Sequence, residues 1–133
     1  MQTSLTDQRL PARSKRQRTP QRWKNAYRNL SSTNPPFKFS IFKAWLAAQI
    51  WRCQYCEEAL DNSDFTLDHE VPISLGGSSR IENLRLACKN CNLSKGTLTG
   101  AEFSEILRAI CYWKPERQAA LLRRLRQGWR YFR

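Results

Sequence analysis

LDHEVPISLGGSSRIENLRLACKNCNLSKG, residues 67–96, decides how this chain folds. Near its start the stretch holds Asp68 and the chain's single histidine, His69, and toward its end Cys88, Cys91 and Asn92. Just before and into it, "DFTLDHEV" places Phe65 and Leu67 on an alternating pattern, which predicts a strand with Pro72 as its stop. "PISLGGSSR" reads as a loop in which Gly76 and Gly77 permit backbone angles that other residues avoid. "IENLRLAC" alternates again through Leu84 and Leu86, predicting a second strand, and a helical stretch starts at Asn90 and ends at Gly96. Strand, loop, strand and helix in that order describe a small α+β unit.

Upstream, "CQYC" supplies Cys53 and Cys56, so two C-x-x-C pairs bracket the first strand and its loop. Two such pairs offer four thiolates, which suits a tetrahedral zinc ion at about 2.3 Å from each sulfur. A four-thiolate site has no open position, so this metal is expected to be structural. The alternatives are two unconnected pairs of buried thiols and an iron–sulfur cluster, the latter without any sign of redox work. The 31 residues between Cys56 and Cys88 exceed the roughly 15 to 20 of a compact zinc ribbon, so something is inserted there. With four sulfurs available to zinc, His69 is left for another role. The fifth cysteine, Cys111, lies beside Ile110 and reads as a buried helix residue without chemistry.

Charge is distributed unevenly. The net charge of +12 comes from 23 Lys and Arg against 11 Asp and Glu, and the excess sits in residues 1–40 and 115–133, leaving residues 41–114 near neutral. Two basic extensions around a neutral centre fit a polyanionic partner, with a solubilising tail as the bland alternative for residues 1–20. The expected organisation is a basic, partly disordered extension over 1–39, a domain over 40–114 and a basic C-terminal helix over 115–133. Residues 1–21 carry too few large apolar groups to fold alone, "RWKNAYRNL" predicts a short helix, and "SIFKAWLAAQIW" predicts a helix capped by Ser40 with Ile41, Phe42, Trp45, Leu46 and Ile50 inward. Thr99 and Glu102 have capping-box spacing ahead of the stripe Phe103, Ile106, Leu107 and Ile110. Pro115 opens the last helix, where Leu121, Leu122, Leu125, Trp129 and Phe132 share a side. No apolar run is long enough to span a bilayer and the first residues lack a signal-peptide core, so a cytoplasmic protein of a bacterial or phage-infected cell is expected.

The motif "DH" followed by "P", "GG", "NL" and "CxxCNxxKG", together with "CQYC", resembles the HNH endonuclease family over about residues 53–97. The resemblance implies a ββα-metal (His-Me finger) core around a divalent cation, pinned by a separate structural zinc. Asn92 stands where the name-giving pattern ends in histidine, so the likeness is to the asparagine-ending variant.

The implied activity is hydrolysis of phosphodiester bonds in DNA, double-stranded DNA above all. That chemistry needs an activated water, neutralised phosphoryl oxygens and a stabilised leaving oxygen. Neutral imidazole suits the base near neutral pH, which assigns that role to His69. Hard cations such as Mg²⁺ or Mn²⁺ prefer oxygen ligands, which assigns Asp68 and Asn92 to the catalytic metal. By family analogy Asn83 braces the loop and the strand carrying His69. Taken singly, Asp68 could be a turn acid, Asn92 a helix cap, Asn83 a loop residue and His69 a core histidine. Asp68 and His69 are also adjacent, and neighbours on a regular strand face opposite ways, so both can serve one phosphate only at a strand end or a bulge. Arg80, Lys95, Arg123, Arg124 and Arg130 are candidate phosphate contacts, with plain solvation as the alternative for Arg80 and Lys95. Trp23, Tyr27, Trp129 and Tyr131 are candidates for stacking on bases, although core packing is favoured for Trp129 and Phe132. A non-catalytic zinc-stabilised module that binds DNA or RNA is the rival reading, and a zinc-stabilised protein-interaction subunit a third. One such site cuts one strand, so duplex cleavage calls for a homodimer, a larger nucleic-acid-processing assembly or sequential nicks, and the sequence leaves that choice open.

Overall fold

A computed structural model describes residues 19–30 and 37–131 of the chain. Expectations for residues 1–18 and for the side chains of Trp129, Arg130, Tyr131 and Phe132 lie outside the described residues. In chain order the elements are helices α1 (Gln21–Leu30) and α2 (Phe39–Ala47), strand β1 (Thr66–His69), strand β2 (Leu84–Ala87), and helices α3 (Lys89–Lys95), α4 (Gly100–Ile110) and α5 (Pro115–Tyr131). Two short 3-10 turns, Ile73–Leu75 and Ile81–Asn83, lie in the connection between the strands.

β1 and β2 pair antiparallel in unbroken register, from Thr66 opposite Ala87 to His69 opposite Leu84. Leu84 and Leu86 bury their side chains, as the alternating pattern predicts. α3 follows β2 after one residue, and that residue, Cys88, caps it by accepting the Cys91 amide on its sulfur at 3.3 Å. The described chain therefore holds a two-strand hairpin followed by a helix, with helices added on both sides.

Helix α4 begins as predicted: Thr99 Oγ1 accepts from the Glu102 amide at 3.1 Å, and Glu102 Oε1 accepts from the Thr99 amide at 2.9 Å. Phe103 and Ile110 from its apolar stripe are buried. The helix ends at Ile110, which leaves Cys111 at the C-cap and exposed, not buried as its neighbour suggested. α2 also departs from expectation. It starts two residues early, with Lys38 at the N-cap and no side-chain capping bond, so Ser40 does not cap it. Phe42 and Leu46, four residues apart, carry its burial, whereas Ile41 stays 49% exposed and Ile50 falls beyond the helix end.

The core reaches further toward the N-terminus than charge suggests. Trp23 of α1 is fully buried, stacks on Trp51 with centroids 6.0 Å apart, and donates Nε1–H to Asn62 Oδ1 at 3.0 Å. It cannot stack on a base. Tyr27 is half-buried against Phe37, Phe39 and Phe42, and its hydroxyl donates to the Phe37 carbonyl at 2.6 Å. In α1, Trp23, Ala26, Tyr27 and Leu30 form the inward face by helical spacing, while the intervening cations remain outside. At the other end α5 lies on α3, where Ser94 Oγ meets both the Leu122 carbonyl at 3.2 Å and Arg126 Nη1 at 3.1 Å. No helix among the described residues is long and apolar enough to cross a membrane.

Candidate active site

The four cysteines of the two pairs converge, with all four sulfurs within 4.8 Å of one another. Cys56 Sγ and Cys88 Sγ are 3.9 Å apart, close to the roughly 3.8 Å that a tetrahedron with zinc–sulfur bonds of 2.3 Å requires. The first pair sits on a tight turn in which the Tyr55 amide donates to Cys53 Sγ at 3.4 Å and Glu57 adopts a positive φ of 64°. That turn is tied to the hairpin, since the Gln54 amide donates to the Leu86 carbonyl at 2.9 Å. Crowded thiols without a cation compete for protons. The bond from Cys91 and several backbone amides hold Cys53 down at about 4, Cys56 is pushed up to about 12 chiefly by burial, and Cys91 is pushed up by donating to Cys53. A dication removes that conflict by accepting all four as thiolates. The cluster is compatible with a structural zinc.

β1 carries Asp68 and His69, the connection between the strands carries Asn83, and α3 carries Asn92 and Lys95. His69 is the last residue of β1 and there is no bulge, so the strand-end alternative accounts for its placement. Asp68, His69, Asn92 and Lys95 line one cavity of about 200 Å³ together with Leu67, Pro72, Ile73 and Gly96. Within it Asp68 is only 2% exposed. Its Oδ1 lies 3.1 Å from Lys95 Nζ, and its Oδ2 accepts the hydroxyl of Tyr55. Lys95 is itself 1% exposed and also donates to the His69 carbonyl at 2.9 Å. The proposed phosphate contact of Lys95 is therefore replaced by an internal one: its ammonium faces Asp68, away from solvent. Tyr55 loses acidity through burial and through the bond to Asp68.

Truncating Lys95 to Met is expected to leave Asp68 buried with a neutral partner alone, costing about 3–5 kcal/mol. Urea unfolding followed by tryptophan fluorescence measures it, and a loss under about 1 kcal/mol contradicts the pairing.

Asn92 is oriented by a chain of donors. Thr66 Oγ1 gives its one proton to the Ala87 carbonyl at 2.8 Å, so it can only accept from Asn92 Nδ2 at 3.2 Å. The amide oxygen is then turned to the other side. A similar chain orients His69. Ser79 Oγ donates to the Leu30 carbonyl at 2.8 Å, so it accepts from His69 Nε2–H at 3.1 Å, and the neutral ring keeps its lone pair on Nδ1. Leu30 is the last residue of α1, so one of that helix's unpaired terminal carbonyls fixes the imidazole through a serine. Burial lowers the His69 pKa from its ordinary value, the Lys95 charge adds to that, and Asp68 partly opposes it.

Asn83 closes the loop after β1. Its amide pairs with both backbone groups of Val71, accepting from the Val71 amide at 2.9 Å and donating to the Val71 carbonyl at 3.0 Å, and it also donates to the Ser78 carbonyl at 2.7 Å. Gly77 is needed beneath it, since a Cβ there would lie 1.7 Å from the Val71 oxygen. Arg80 is exposed on this loop, and Arg123 and Arg124 are exposed on α5. Sequence reading missed Tyr55 and Ser79: one is hidden between two cysteines and the other in a glycine–serine loop, and each is a hydrogen-bond partner only through tertiary contact.

A comparison with curated proteins gave no match. Residues 53–98 match the family model described as HNH endonuclease. That span contains the thiol cluster, both strands, α3 and every polar residue of the cavity, and residues 53–98 are an HNH endonuclease domain.

Proposed function

We propose that the protein is a metal-dependent endonuclease that hydrolyses phosphodiester bonds in DNA, with His69 as general base. The observation that carries this is the placement of the only histidine: half-buried at a strand end, its Nε2 tied to Ser79, on a cavity it shares with Asp68 and Asn92. Nδ1 takes a proton from water as the oxygen attacks phosphorus, and the bond to the 3′ oxygen breaks on the opposite side. Donor chemistry supports a hard divalent cation, Mg²⁺ or Mn²⁺, at Asp68 and Asn92: each Asp68 oxygen keeps a second lone pair beyond its bonds to Lys95 and Tyr55, and the Asn92 oxygen is turned from Thr66. When bound, such an ion supplies Lewis acidity to the phosphoryl and leaving oxygens. Asn83 keeps the loop after β1 folded beneath the strand end, and Arg80, Arg123 and Arg124 add affinity for the backbone. The zinc at Cys53, Cys56, Cys88 and Cys91 takes no part in the reaction.

One observation favours the non-catalytic DNA- or RNA-binding module instead: both Asp68 oxygens already have partners. Supercoiled plasmid incubated with zinc-loaded protein and a series of divalent cations separates the two. The nuclease converts plasmid to nicked or linear form with Mg²⁺ or Mn²⁺; an intact plasmid with every cation tested assigns the protein to the binding class.

A further inference from the structure

We infer that α1, which precedes the HNH domain, forms one wall of a groove that binds the backbone of a DNA strand and leads it to His69. This rests on the nuclease reading for its direction, though not for its binding test. A cavity of about 380 Å³ lies between α1 and β1, lined on the helix side by Arg22, Asn25 and Asn29 and on the strand side by Phe65, Leu67 and His69. Leu67 and His69 also line the cavity that holds Asp68 and Asn92, so the two hollows adjoin along β1 with the imidazole at their junction. Among the described residues β1 pairs only with β2, in a two-stranded sheet.

The chemistry of the α1 wall selects an anionic ligand rich in acceptors. Arg22, Asn25 and Asn29 follow at three- and four-residue steps, so they share one helix face over about 10 Å, the length of about three nucleotides of a duplex strand. Asn25 Oδ1 already accepts from Gln21 Nε2 at 3.1 Å, which leaves the Asn25 amino group as a donor. Arg22 spends one Nη2 bond on the Phe65 carbonyl at 2.9 Å and lies over the Phe65 ring at 5.5 Å, a placement that fixes its guanidinium while other N–H groups remain. No acid is among the lining residues. A cation or a basic-face partner finds no carboxylate to pair with here, whereas phosphate oxygens find the Arg22 guanidinium and side-chain amide donors.

The test uses the full zinc-loaded chain and a short fluorescent DNA duplex, titrated to equilibrium without added divalent cation so that cleavage plays no part. Asn25→Asp with Asn29→Asp changes two exposed residues isosterically and puts two carboxylates on the wall. Asn90→Asp, exposed at the start of α3, adds the same kind of charge away from it. The double variant is expected to weaken binding about tenfold or more, since like charges set against each other across an interface are costly, while Asn90→Asp changes it less than about twofold. Melting temperatures within a few degrees of wild type show that both variants are folded. Equal binding by the double variant and the control overturns the inference, as does wild-type protein that fails to bind the duplex at low salt. A chain that binds this way yet leaves plasmid intact keeps the groove and loses the nuclease reading.

Discussion

Chelating the zinc, or replacing Cys53 with Ser, is expected to abolish the cooperative unfolding transition of the domain. Four sulfurs within 4.8 Å of one another hold the turn at Cys53–Cys56 against the start of α3, and that turn is joined to β2 through Gln54. Metal binding of this kind contributes on the order of 10 kcal/mol, comparable with the roughly 5–15 kcal/mol total stability of a domain. Losing it removes most of what holds the chain folded. Trp51 reports the event, because it sits two residues before Cys53, packs on Trp23 and Phe65, and bonds through its backbone to Leu60. The measurement is near-ultraviolet circular dichroism and thermal melting during zinc removal and readdition, with zinc counted by mass spectrometry. Cys111→Ser is the control: the side chain is exposed, and its removal is expected to change stability by less than about 0.5 kcal/mol. A Cys53→Ser protein that melts like wild type, or wild type that binds no zinc, contradicts the account.

How much of this could be read from residues alone depends on whether the cause was local. The capping box at Thr99 and Glu102 and the alternation through Leu84 and Leu86 are short-range patterns, and each leads to the element observed. The two cysteine pairs are also local signals, and their sulfurs converge as the four ligands of one structural zinc would. Burial of polar groups follows different rules. Nothing near Lys95 in sequence indicates that its ammonium turns inward to Asp68, because the partner lies 27 residues away, across the hairpin. Trp23 misled for the same reason: arginine and lysine flank it on either side, and only the Trp51 ring from another segment makes it core. Cys111 shows the converse, since an apolar stripe continues in sequence past the point where the helix stops. The site was legible as a set of residue types; the hydrogen bonds that aim them, through Ser79, Thr66 and Tyr55, were not.

His69→Ala is expected to lower the rate of DNA cleavage by about 10²–10⁴-fold while leaving zinc content, melting temperature and duplex affinity close to wild type. Among the described residues the ring's bond is a single one to Ser79, whose own proton goes to the Leu30 carbonyl and stays satisfied without it, so the fold has little to lose. Ser79→Ala should give a graded version of the same defect, because a ring without its Nε2 acceptor samples both tautomers and presents Nδ1 as a base only part of the time. The pH profile gives the sign. Neutral imidazole is the working form; burial lowers its pKa below the ordinary 6.5, Asp68 opposes this in part, and the Lys95 charge acts with burial, so the net direction is down. Activity should therefore stay level from neutral pH down past 6.5 and fall only on further acidification, and a divalent cation beside the ring moves that fall lower still. Single-turnover cleavage of a labelled duplex across pH measures both effects. A rate that is unchanged in His69→Ala removes the base from the mechanism, and a rate already halved above pH 6.5 shows that the titrating group is not this buried imidazole.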